Sequence, residues 1–113
     1  MVDEGYWMGC MEQQQSVIVE ALTEAKAQFV AGAYEEALML FQNISTLAPL
    51  ETEPIAGMAL CYFALGQMPQ ARRIWKIVIS REANYLLPRF LRKELGWPDA
   101  MLAVARQVTE LVV

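Results

Sequence analysis

Apolar positions recur every three or four residues along most of the chain and divide it into six helical stretches. Val17, Ile18, Ala21, Leu22, Ala25 and Phe29 form the first stripe and predict a helix from Glu12 to Ala31, stopped by Gly32. Tyr34, Ala37, Leu38, Phe41 and Ile44 form the second, over Tyr34 to Leu47, with Glu35 and Glu36 in the first turn where negative charge suits the helix dipole. Pro49 closes this unit, and Pro54 stands in the first turn of a third helix, where its missing N–H costs nothing. From Ile55 to Leu65 no charge occurs, so this helix is expected to be covered on nearly all sides. The fourth helix runs from Met68 and Pro69 to about Glu82, apolar at Ala71, Ile74, Trp75 and Val78 and solvated at Arg72, Arg73 and Lys76. A fifth, Tyr85 to Leu95, carries Pro88 in its first turn and stops at Gly96. Pro98 opens a sixth, with Met101, Val104, Ala105, Val108, Leu111 and Val112 on one side and Asp99, Arg106, Gln107 and Glu110 toward water. Gly5 and Gly9 argue against a stable helix over residues 1–11, which read as a flexible N-terminal arm.

The central stripes repeat. Ala25, Phe29, Gly32, Ala37 and Phe41 return 34 residues later as Ala59, Phe63, Gly66, Ala71 and Trp75, and Pro54 returns as Pro88. A fixed period in this range marks a solenoid, in which each unit buries its apolar face on its neighbours. The small residue of the first helix, the glycine at the turn, the small residue of the second helix, the aromatic one turn on and the closing Pro49 resemble the tetratricopeptide repeat. The expected fold is all-α: a hairpin solenoid of about six helices in three antiparallel pairs, the last degenerate. One domain then spans residues 12–113, in units of about 17–50, 51–84 and 85–113.

Composition narrows the function. Of 113 residues 56% are hydrophobic, more than so short a chain can readily hide, so part of that surface is expected to await a partner. The net charge of −4, without a clustered basic run, argues against nucleic acid. There is no histidine, the glycines are helix stops, and neither Cys10 nor Cys61 has a partner at metal spacing. No enzyme activity, cofactor or metal is therefore expected. Cys61 reads as a small core residue, and two cysteines fall short of a disulfide framework, which fits a reducing cytoplasm. The opening residues, with Asp3 and Glu4, do not read as a signal peptide, and no apolar run is long enough for membrane insertion.

The resemblance implies a concave face built from the first helix of each unit. Carried onto this chain it comprises Val19, Leu22, Lys26, Phe29 and Val30, then Glu53, Ala56, Leu60, Phe63 and Ala64, then Leu87 and Phe90. The basic clamp by which some family members grip a chaperone's terminal carboxylate is not implied, since its positions hold Leu22, Gly57, Leu87 and Leu91, with only Lys26 basic. An apolar groove suits an amphipathic helix of a protein partner. Size, acidity and groove character resemble the small tetratricopeptide chaperones of bacterial type III secretion, a virulence apparatus. Such a chaperone would hold a needle subunit unpolymerised before export, with Leu22, Phe29, Leu60, Phe63 and Phe90 as anchors and Lys26 pairing an acidic cargo residue. Tyr6 and Trp7 would receive a small helical co-chaperone. Length favours the needle type over a translocator chaperone. The alternatives are a general interaction scaffold and a homodimer in which the groove closes on a second copy.

Overall fold

The computed structural model describes residues 4–113, with side chains from Ser16 onward. Six α-helices follow one another: α1 (Glu4–Val30), α2 (Tyr34–Leu47), α3 (Thr52–Ala64), α4 (Met68–Arg81), α5 (Pro88–Lys93) and α6 (Asp99–Val112), with a 3-10 turn at Ala83–Leu86. The first four make two antiparallel hairpins, and α3 lies between α2 and α4.

Each hairpin closes in the same way. The Ala33 N–H donates to the Gln28 carbonyl at 2.9 Å, and the Gln67 N–H donates to Tyr62 at 2.8 Å. Between them Gly32 and Gly66 sit at φ +82° and +83°. This αL cap satisfies the last carbonyls of a helix and suits a residue without Cβ, so the glycine repeat is a repeat of turn geometry. The rest of the pattern is a packing repeat. Ala25, Ala59, Ala37 and Ala71 are all fully buried, letting the helices approach, and Phe41 and Trp75 are buried one turn beyond.

Two boundaries differ from expectation. The first helix begins at Glu4 rather than Glu12. Each glycine costs a helix only about 1 kcal/mol relative to alanine, no proline intervenes, and Met8 and Met11 through Gln15 are mostly good helix formers, so the long helix continues through them. The expected fifth helix is instead the 3-10 turn at Ala83–Leu86 followed by the six residues of α5. Pro88 lacks the N–H a continuous helix needs and forces Leu87 toward extended geometry, observed at φ −100° and ψ 112°.

The third unit therefore has no long first helix, and α6 takes up the space, lying against α3 and α4 and reaching α1. Its Met101, Ala105 and Val108 join one core with Phe29, Leu60, Cys61 and Trp75. The Trp75 indole N–H donates to the Thr109 hydroxyl at 3.1 Å, which satisfies the buried ring's donor. Tyr85 centres an aromatic cluster, edge-on to Trp75, Phe90 and Trp97 with ring centroids 6.3, 5.4 and 6.0 Å away. Burial, and secondarily the negative charges of Glu53, Glu82 and Glu51, push its hydroxyl pKa upward and keep it protonated.

Burial also pushes the Cys61 thiol up from 9.0 to about 12. In the unfolded chain the thiol ionises near its ordinary value, so the stabilising effect is complete below pH 9 and declines as pH rises toward 12. At neutral pH, Cys61 should alkylate only when the core opens. Mass-resolved iodoacetamide labelling in increasing urea checks this, with modification expected to track the unfolding transition.

Candidate protein-binding face

The residues expected along the concave face part company. Phe29, Ala56 and Leu60 are buried in the core, sharing it with Trp97, Met101, Ala105 and Val108. Leu22, Phe63 and Phe90 are half-buried against that core, Phe90 edge-on to Tyr85. The open groove expected through Phe29, Ala56 and Leu60 is thus filled by the chain's own C-terminal segment. The reason is the altered third unit: with α5 cut short, α6 and the loop before it supply the apolar surface that the uncharged part of α3, from Ile55 onward, requires.

Lys26 is also committed internally. Its Nζ lies 2.7 Å from Glu53 Oε2 and donates to the Leu95 carbonyl at 3.0 Å. The Trp97 indole N–H donates to the same Glu53 oxygen at 3.0 Å. Three segments, α1, α3 and the loop between α5 and α6, are thereby tied by one carboxylate. The Lys26 and Glu53 side chains are only 19% and 15% exposed, so this pair is far better shielded than Arg92–Asp99 at the surface. Lys26, expected to pair with an acidic residue of a cargo, here has its partners within the chain. Gly96, at φ +64°, turns the chain so that Trp97 faces inward.

What stays open is a strip beside this knot. Val30 is 54% exposed and Val19 61%. With Thr23 and Lys26 they share one stripe of α1 at spacings of four, three and four. Thr23, Lys26, Ala27 and Val30 face Gly96 and Pro98 across a cleft of about 440 Å³. A smaller apolar pocket of about 130 Å³ opens between α5 and α6, lined by Tyr85, Leu91, Leu102 and Ala105, which sequence reasoning missed. Nothing in the periodicity signals it, because it exists only where Pro88 breaks the fifth helix and α6 crosses the gap. Tyr6 and Trp7, expected to meet a co-chaperone, lie in the part of α1 whose side chains are outside the described residues.

Paired helices stacked at a fixed period, with aromatics packed between them, define a helical-repeat scaffold. The tetratricopeptide repeat family model matches residues 29–85, half of the chain, and the chain belongs to that family. Neither the curated proteins nor the solved structures contain a match to the chain. The family is generally a non-catalytic protein-interaction fold. No helix among the described residues is long and apolar enough to cross a membrane.

Proposed function

We propose that the protein is a cytoplasmic tetratricopeptide adaptor that docks an amphipathic helix of another protein along the open strip of α1. The observation that carries this reading is the exposure of Val19 and Val30 on one stripe with Thr23 and Lys26, bordering the cleft closed by Gly96 and Pro98. A partner helix with apolar residues about three turns apart would bury those valines.

The narrower reading is a chaperone of an export substrate such as a type III secretion needle subunit. It keeps the support of acidic balance and repeat core. It loses the deep apolar groove, since Phe29, Ala56 and Leu60 are covered by the protein itself. Cargo under this reading would lie on the α1 strip, and sequestration would be of one helix face.

The test replaces Val19 and Val30 together by Asp. Because both side chains are exposed, helical content and urea midpoint should hold within the small range of surface substitutions. The partner that wild-type protein retains from its native source, identified by mass spectrometry, should be lost, while Leu50→Asp, on a different turn, should retain it. Retention of the same partner by the double valine variant would remove the α1 strip as the binding face.

A further inference from the structure

Charge is unevenly divided along the solenoid. Nine of the 13 Asp and Glu residues precede Pro54, against Lys26 alone among the basic residues, and the other eight Lys and Arg follow it. The division reappears on the surface of two helices, α2 and α4, that both pack on α3. Helix α2 exposes Glu35 and Glu36 in its first turn, and α4 exposes Arg72 and Arg73 in its second, with Lys76 one turn on. Among the described residues the ion pairs are Lys26–Glu53 and Arg92–Asp99, so neither set is paired with the other.

These helices also expose apolar side chains beyond the charges. Met39 and Leu47 on α2 are 63% and 64% exposed, and Ile77 on α4 is 45% exposed. Both helices pack on α3 and turn their far sides to solvent, and each is the second helix of its hairpin, so they run in the same direction. Arg81 Nη1 donates to the Pro49 carbonyl at 3.2 Å, holding the end of α4 beside the turn that follows α2. The result is one face with an acidic strip, a basic strip and apolar residues in both.

We propose that this α2–α4 face is an interface between two copies of the chain. A two-fold axis parallel to the helices lays the α2 strip of each copy on the α4 strip of the other, so both acidic–basic pairings form at once. An isologous contact of this kind requires a self-complementary surface, and the opposite charges of the two strips supply it. The apolar residues between them leave water on association, and charge complementarity fixes which strip meets which. This face is separate from the α1 strip, so its test is independent of the adaptor reading.

Sedimentation equilibrium of the full chain should give the mass of a dimer at low ionic strength, weakening as salt screens the strips. Arg72→Glu/Arg73→Glu and Glu35→Lys/Glu36→Lys should each sediment as monomers with unchanged far-UV circular dichroism. In the first variant both strips are acidic and in the second both are basic, so an equimolar mixture should restore the dimer as a heterodimer. A wild-type monomer throughout the micromolar range would overturn the proposal. So would dimers that survive both charge reversals, or a mixture that stays monomeric.

Discussion

Replacing Gly57 by Val is expected to unfold the hairpin stack at physiological temperature, and even Ala is expected to destabilise it. A Cβ at this position would lie 2.5 Å from Phe41 Cε1 and 2.6 Å from Cδ1 and Cζ. Carbon atoms in contact ordinarily sit about 3.5–4.0 Å apart, so the ring would have to retreat by about 1 Å. Phe41 is fully buried and has no free space to enter. In a solvent-exposed helix Gly→Ala gains up to about 1 kcal/mol. Overpacking costs about 1–3 kcal/mol and occasionally more, so the sign reverses here. Urea denaturation of Gly57→Ala should show a net loss of about 1–2 kcal/mol, and the bulkier β-branched valine more. Phe41→Leu added to Gly57→Ala should cost less than the two single changes together, because the smaller side chain yields the space. Strict additivity would show that the ring is not the obstacle.

The second large effect is expected at Glu53. Its carboxylate accepts from both Lys26 and Trp97, and Glu53→Ala strands a shielded ammonium and a buried indole N–H together. Breaking one partner of a shielded pair costs about 3–5 kcal/mol when burial is complete. With side chains 15% and 19% exposed, solvent recovers part of that, and a loss of about 2–3 kcal/mol is expected. The local consequence should exceed the global one. Freed from Glu53, the loop from Leu95 to Pro98 loses its tie to α3 and is held to α1 by the Lys26–Leu95 hydrogen bond alone, and the apolar surface around Phe29 and Leu60 opens to solvent. An increase in hydrophobic dye binding at native helical content would register this. Lys26→Met combined with Glu53→Leu should recover most of the stability, leaving the Trp97 N–H as the residual cost. An unaltered urea midpoint for Glu53→Ala would remove the carboxylate from the account of how the cap is held.

Gly57 and Glu53 also mark where reading the sequence reached its limit. A glycine inside an uncharged helical run looks like a weak point of propensity, and only the approach of Phe41 from α2 gives it a task. Glu53 read as one position of a concave surface, because the resemblance carries positions and not the company they keep. Lys26 was read as free to meet a cargo for the same reason. Trp97 and Leu95, the partners that claim Glu53 and Lys26, lie 44 and 69 positions further along the chain.

The chain's own periodicity determined the two hairpins. Glycine at 32 and 66 fixed the left-handed turns, alanine at 25, 37, 59 and 71 fixed the close approach of paired helices, and Phe41 and Trp75 fixed the spacing between layers. These are local or nearest-neighbour constraints, and a repeat states them twice. Tertiary structure alone decided what became of the hollow. Pro88 cut the third unit's first helix, α6 moved onto α3 and α4, and the surface expected to wait for another protein became core. That outcome depends on which apolar stripe satisfies the uncharged stretch of α3 beyond Pro54 most fully, a competition between distant segments that hydrophobic spacing cannot rank.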